Sequence, residues 1–147
     1  MMISPELVIF LIVAFLVAAI LIKNMLQPAK RVEVKIGSTT VDAEVADTLP
    51  KQIKGLMFRS GLKENEGMLF DFGSEGYHSI WMMNTSFPID IMWINEGKVV
   101  DIKKDAQPCG LICPSYGPKE QARYVLEVNA NFTDRHKIKI GTRVELG

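Results

Sequence analysis

Apolar and polar residues alternate along most of the chain after residue 30, and this alternation predicts a domain built mainly from β-strands. In residues 31–36 every second side chain is apolar, and residues 41–45 repeat the pattern. Because Gly37-Ser38-Thr39 lies between the two segments, we expect them to form a hairpin. A second hairpin is predicted for residues 91–94 and 98–102, around the tight connection Asn95-Glu96-Gly97.

The stretch His78–Ile94 contains two further apolar runs, Ser79–Met83 and Ile89–Ile94, which we interpret as strands covered on both faces. Residues 67–72 and 124–129 also have strand patterns. Three polar residues interrupt the apolar stretch: Asn84, Thr85 and Asp90. Buried polar groups need partners, so these residues either stabilise the core or contact a bound molecule.

A short helix is predicted after Asp47-Thr48-Leu49-Pro50, which combines capping side chains with a proline in the first turn. Its apolar residues would share one face and pack on the sheet: Leu49, Ile53, Leu56 and Met57. Residues 105–122 lack periodicity and predict a long loop. Many short strands with turn signals, and one brief helix, indicate a β-sandwich or a barrel.

The N-terminal part differs from the rest, because Leu7–Ile22 is an unbroken run of 16 apolar residues. We interpret residues 1–26 as a transmembrane anchor helix, residues 27–31 as a linker and residues 32–147 as the β domain. A cleaved signal peptide is the alternative, but the first six residues carry an acid and no basic residue.

The side of the membrane is judged from two opposing signals. Lys23, Lys30, Arg31 and Lys35 follow the helix, which favours a cytoplasmic domain under the positive-inside rule. Two closely spaced cysteines in the long loop favour an oxidising compartment, and long domains are translocated despite flanking charge. We therefore expect an extracytoplasmic domain.

The overall composition is that of a globular protein, with 48% apolar and 23% charged residues. Basic and acidic residues number 17 each, so the formal net charge is zero. This balance, with no basic cluster in the folded part, argues against electrostatic binding to nucleic acid. The sequence implies no cofactor, and it does not indicate an oligomeric state.

Several motifs resemble, in order, those of the DUF192 (UPF0127) family: Gly55-Leu56-Met57-Phe58-Arg59, Glu66-Gly67-Met68-Leu69-Phe70, Trp81-Met82-Met83-Asn84-Thr85, Pro88-Ile89-Asp90-Ile91 and Tyr124-Val125-Leu126-Glu127-Val128-Asn129. The resemblance covers nearly all of residues 32–146. The resemblance implies a compact, mainly β fold of the jelly-roll sandwich type, with one or two short helices, in a protein that is often exported or membrane-anchored. It implies no established activity. Met83 departs from the pattern, because the family commonly has Lys at this position.

The two cysteines, Cys109 and Cys113, are separated by three residues and flanked by prolines. We favour a disulfide that fixes the long loop over a zinc site or reduced thiols, because only His78 and His136 could complete a zinc site. His78 is interpreted as structural rather than as an acid, base or ligand. The methionines are interpreted as core residues rather than as copper ligands.

Six residues are candidates for binding a ligand: Arg59, Trp81, Asn84, Thr85, Asp90 and Glu127. The favoured hypothesis is a module whose central strands frame a pocket for a small polar ligand. One alternative is a hydrolase-like enzyme with Asp90 or Glu127 as general acid or base and Arg59 binding an anion. The other is an interaction or assembly factor that works through protein contacts. Two carboxylates meeting in one pocket would favour the enzyme.

Asp90 opens an otherwise apolar strand, so its charge must be compensated. The expected partners are Arg59, Asn84, Thr85 and Asn129. We therefore expect Asp90 to be buried and to form one connected cluster with Arg59 and Asn84.

Overall fold

The structure is a computed structural model that describes residues 4–25, 29–110 and 112–147. Within these ranges the helices are α1 (Pro5–Met25), α2 (Leu49–Lys54) and α3 (Phe132–Arg135). The strands are β1 (Arg31–Ile36), β2 (Thr39–Ala46), β3 (Glu66–Gly76), β4 (Ile80–Trp81), β5 (Ile89–Asn95), β6 (Lys98–Ala106), β7 (Ser115–Tyr116), β8 (Ala122–Asn129) and β9 (Val144–Leu146). The prediction of a mainly β domain with few short helices is confirmed.

Seven strands form one sheet in the order β6-β5-β8-β3-β2-β1-β9. The sheet curls until its edges meet at one end, where Lys98 in β6 forms an antiparallel bridge with Arg143, just before β9. Both predicted hairpins, β1–β2 and β5–β6, are present. Glu96 and Gly97 connect the second hairpin with φ values of 45° and 69°, as a tight turn requires.

The predicted sandwich of jelly-roll type is replaced by one curled sheet of seven strands and a separate small sheet of two strands. The run Ser79–Met83 forms only the two-residue strand β4, which pairs with β7 in a separate small sheet. Strand pairing depends on residues distant in the chain, so an apolar run alone does not determine strand length.

The curled sheet separates two apolar clusters. The inner cluster takes side chains from nearly every strand, together with Phe132 of α3 and Ile138. The outer cluster lies on the opposite face of the central strands and includes Phe70, Trp93 and Val125. Because successive side chains in a strand point to opposite faces, neighbouring residues of β5 and β8 contribute to different clusters.

The outer face is covered by two connecting segments. β2 and β3 are parallel neighbours, so the chain must cross over between them, and residues 47–65 with α2 make this crossover. Residues 77–88, which contain β4, make the second covering segment, and buried Ile80 and Met82 insert into the outer cluster. These two segments position the site described below.

A helix forms where the anchor was predicted, as α1, and its described apolar side chains are exposed. Among the residues that the structure describes, no helix reaches the length and apolar character needed to cross a membrane. The start of the predicted linker and part of the predicted anchor lie outside the described residues.

Candidate functional site

The main pocket lies on the outer face of the sheet, between α2 and the segment that contains β4. Its volume is about 250 Å³, and its walls are mostly apolar. It is lined by Leu49, Gln52, Ile53, Lys54, Gly55, Leu56, Met57, Phe70, Phe72, Ser79, Ile80, Trp81, Met83, Thr85 and Glu127. Because an engineered apolar cavity of about 150 Å³ already binds benzene, the main pocket can hold a substituted ring or a short branched chain.

The α2 wall of the main pocket is fixed to the sheet through polar backbone contacts rather than through apolar burial. The side-chain amide of Gln52 donates a hydrogen bond of 2.8 Å to the carbonyl oxygen of Asp71 in β3. Leu56, just after the helix, is buried, whereas Leu49 and Ile53 are exposed. The prediction that Leu49 and Ile53 pack on the sheet is therefore wrong, because both lie at the pocket instead.

Among the residues that the structure describes, Glu127 is the one charged side chain that is both buried and part of the pocket lining. It projects from the middle of β8, where its neighbours across the sheet are Met68 and Ile91. Burial raises the pKa of its carboxyl to about 8. The positive charge of Arg59 lowers this pKa and offsets only part of the effect of burial. Below this pKa the acid is protonated, so at neutral pH the pocket contains a carboxylic acid that can donate a hydrogen bond.

Arg59 is engaged by a different carboxylate. Its guanidinium donates a hydrogen bond of 2.7 Å to the carboxylate of Glu44 in β2. Both side chains are partly buried, with Arg59 30% and Glu44 23% exposed. Arg59 therefore forms an ion pair where the crossover segment meets the sheet. Its charge acts on Glu127 through space, and no hydrogen bond between the two is present in the described part of the chain.

A shallower groove lies next to the main pocket and shares buried Thr85 with it. Arg59, Asn84 and Cys109 line this groove. Phe58 and Asn84 both have positive φ values, 63° and 53°, and the Phe58 amide donates a hydrogen bond of 2.9 Å to the Asn84 carbonyl oxygen. A bulky residue in this backbone region is strained, so the contact holds Phe58 in an unfavourable conformation, and the residue is 79% exposed.

Asp90 is buried, as predicted, but its predicted partners are wrong. Its carboxylate accepts hydrogen bonds from the amide and hydroxyl of Thr133, at 2.9 and 2.6 Å, and from the amide of Asp105 at 2.9 Å. Asp90 is paired with Val128 in the sheet, so its side chain lies on the inner face, opposite that of Glu127. The expected cluster of Arg59, Asn84 and Asp90 therefore does not form, and Asp90 anchors α3.

The remaining candidates have structural contacts. Cys109 and Cys113 are joined by a disulfide. The His78 ring stacks on Phe72 at 3.9 Å between centroids and donates a hydrogen bond to the Ser74 carbonyl oxygen. No group of three or more His, Cys, Asp and Glu side chains that could hold a metal ion occurs within the described ranges.

Two of the predicted ligand-binding residues, Trp81 and Glu127, line the main pocket, and Thr85 lines both the pocket and the groove. Arg59 and Asn84 line only the groove, and Asp90 lines neither. The sequence reasoning missed the α2 and β3 walls of the pocket. One signal could have indicated the α2 wall: a six-residue helix is too short to bury an apolar stripe of its own.

The structure is therefore that of a curled, mainly β domain with an apolar pocket on its outer face. A family model described as Uncharacterized ACR, DUF192, matches residues 32–146, so the chain belongs to the DUF192 family. No curated protein matches the chain.

Solved structures share this fold. The crystal structure of a "putative transcription regulator" from Sinorhizobium meliloti is 28% identical, covering 82% of this chain and 96% of that one, with a TM-score of 0.74. A protein of unknown function from Novosphingobium aromaticivorans is 32% identical, covering 82% of this chain and 88% of that one, with a TM-score of 0.71. The similarity spans most of each chain, so most of the fold is shared.

Proposed function

We propose that this protein binds a small molecule that has an apolar body and a neutral polar head. The body occupies the main pocket, and the head meets the protonated carboxyl of Glu127. The observation that carries the proposal is a carboxyl with a raised pKa at the wall of an apolar pocket. Among the described residues, no fully buried side-chain oxygen lacks a hydrogen-bond partner, and the carboxyl of Glu127 has no such partner, so its oxygens are open to the pocket. A carboxyl that faces an apolar pocket and has no protein partner is free to form a hydrogen bond with a molecule held there.

The lining determines the chemistry of the ligand body. Phenylalanine, methionine and branched aliphatic side chains dominate the walls, which suits an aromatic or branched aliphatic group. Met83 contributes a thioether where the family commonly has a lysine, so the pocket lacks a cation at this position. The ligand is thus more apolar than the small polar ligand predicted from the sequence.

The state of Glu127 determines the chemistry of the ligand head. A protonated carboxyl donates a hydrogen bond to a carbonyl or hydroxyl oxygen. A ligand carboxylate would bring a negative charge into the same apolar space, which costs several kcal/mol unless a cation compensates it. The proposed site therefore selects neutral heads over anionic ones.

An enzyme with paired carboxylates is not supported by the geometry. Glu127 is the carboxylate in the pocket lining, whereas Asp90 lies on the other face of the sheet. General acid–base catalysis with these two residues would need both within hydrogen-bond reach of one substrate.

We also propose that α1 tethers the domain to a bilayer, with the domain in an extracytoplasmic compartment. The tether is supported by apolar side chains exposed around α1, for example Phe10 and Phe15 at 68% and 73%. Contiguous apolar surface of this extent is rare on soluble proteins. The compartment is supported by the Cys109–Cys113 disulfide, since disulfides persist in oxidising environments.

The binding proposal is tested with acetophenone and ethylbenzene, which differ mainly in a carbonyl group at one carbon. Each is titrated into the full chain at about pH 6, where Glu127 is protonated, and binding is followed by the fluorescence of Trp81 at the pocket. Replacing Glu127 by leucine should weaken acetophenone binding by about tenfold, the value of one hydrogen bond, and should leave ethylbenzene binding unchanged or tighter.

Glu33→Leu is the matched control, because Glu33 is an exposed strand residue outside the pocket lining. It should leave the affinity for both compounds unchanged. Equal affinities of wild type and Glu127→Leu for acetophenone would contradict the proposed role of Glu127. Failure of both compounds to bind wild type would contradict the pocket itself.

A further inference from the structure

The mouth of the main pocket is surrounded by large apolar side chains that the fold leaves in solvent. Leu49, Ile53 and Trp81 all line the pocket, yet they are 69%, 55% and 47% exposed. Side chains that line a cavity and remain exposed must form its rim. The pocket therefore opens through an apolar surface. A binding site that opens to water ordinarily has a rim of polar side chains instead.

Basic side chains lie beside this apolar rim. α2 carries Leu49 and Ile53 together with Lys51 and Lys54, and Lys54 also lines the pocket. Lys51 forms an ion pair of 2.8 Å with Asp47, whereas Lys54 has no ion pair among the described residues. Apolar and basic residues on one short surface helix, with a tryptophan beside it, are the combination found at membrane–water interfaces.

Phe58 extends the same apolar surface. It lines the groove that shares Thr85 with the main pocket, so it lies next to the rim. Its strained backbone, with φ at 63°, holds an aromatic residue that is largely exposed to solvent. Such strain persists only where the surrounding structure imposes it, and it is concentrated at functional sites.

We infer that the pocket mouth docks on a lipid bilayer surface, so that ligands enter the pocket from the membrane rather than from water. The rim residues Leu49, Ile53 and Trp81 insert into the interfacial region, and Lys54 meets anionic headgroups. The route of ligand entry rests on the proposed function, whereas the docking itself does not. The ligand class that follows is a membrane-dissolved molecule with a neutral head.

Trp81 and Trp93 are the two tryptophans of the chain, and they make the docking measurable. Trp93 is buried in the outer cluster, and its indole donates a hydrogen bond of 2.7 Å to the His78 carbonyl oxygen. The full chain is reconstituted into phosphatidylcholine vesicles containing phosphatidylglycerol, with and without brominated acyl chains. Brominated lipid should quench the wild-type fluorescence, and Trp81→Phe should lose most of this quenching, since Trp93 is shielded.

A variant with Leu49→Asp and Ile53→Asp should lose the quenching and still float with the vesicles through α1. Ile140→Asp, at an exposed apolar residue outside the pocket lining, should retain it. Because both changed rim residues are exposed, the double variant should fold, and an unchanged emission of Trp93 verifies this.

Three results would overturn the inference. In the first, acrylamide in the water quenches Trp81 and brominated lipid does not. In the second, neither acrylamide nor brominated lipid quenches Trp81, which places a second copy of the chain or another protein over the pocket mouth. In the third, the wild-type chain does not float with vesicles. A failure of acetophenone binding would affect only the proposed function, since the quenching requires no ligand.

Discussion

Replacing Glu127 by glutamine should change how the stability of the protein depends on pH. Burial raises the pKa of the Glu127 carboxyl from 4.5 to about 8. Between these two values the folded protein keeps the proton and the unfolded chain releases it, so the folded state loses stability as pH rises. Each pKa unit corresponds to about 1.4 kcal/mol, so the total loss approaches about 5 kcal/mol by about pH 8.5.

Glutamine is neutral at every pH and similar in shape, so the Glu127→Gln variant should lack this loss. Free energies of unfolding are measured by urea denaturation of both full chains from about pH 4 to about pH 8.5. The variant should gain several kcal/mol over wild type across this range, with the smallest difference at the acidic end. Glu33→Gln, an exposed residue, controls for the general effect of removing a carboxylate. A difference between wild type and Glu127→Gln that does not change with pH would refute the raised pKa.

Three further changes test the surrounding structure by urea denaturation. Asp90→Ala should cost about 2–4 kcal/mol, because it leaves buried Thr133 without its acceptor, and a neutral effect would contradict the structural role. Gly67→Ala should cost about 2–3 kcal/mol, because its Cβ would lie 2.7 Å from the Glu127 carbonyl oxygen, and tolerance of alanine would contradict this packing. Phe58→Gly should be more stable than Phe58→Ala by about 1 kcal/mol, because glycine adopts the positive φ of this position without strain. Alanine is ordinarily the more stable of the two, so a more stable Phe58→Ala variant would contradict the strain.

The strands could be predicted where the pattern is local. β1, β2, β5, β6 and β8 each alternate, or are continuously apolar, over their own length, and the turns between hairpin strands contain glycine. The curled sheet could not be predicted, because its closure depends on Lys98 meeting Arg143, residues that no local pattern connects.

The partners of the buried carboxylates also could not be predicted from the sequence. The pattern of β8 placed Glu127 on one face of its strand, but the register that pairs Asp90 with Val128 decides that Asp90 lies on the other face. A shift of one residue would have brought the two carboxylates together. Thr133 is 43 residues away from Asp90, so its role as the partner of Asp90 is a property of the fold.

The most direct test of the account is the infrared spectrum of the Glu127 carboxyl. A protonated carboxylic acid has a C=O stretch distinct from that of carboxylates, and at about pH 6 the carboxylates with ordinary pKa values are ionised. The difference between wild type and Glu127→Gln should therefore show one protonated acid, and acetophenone should shift its band to lower frequency, because the acid donates a hydrogen bond to the ligand carbonyl. A difference spectrum without a protonated acid, or with a band that acetophenone leaves in place, would contradict the proposal that Glu127 binds the ligand head.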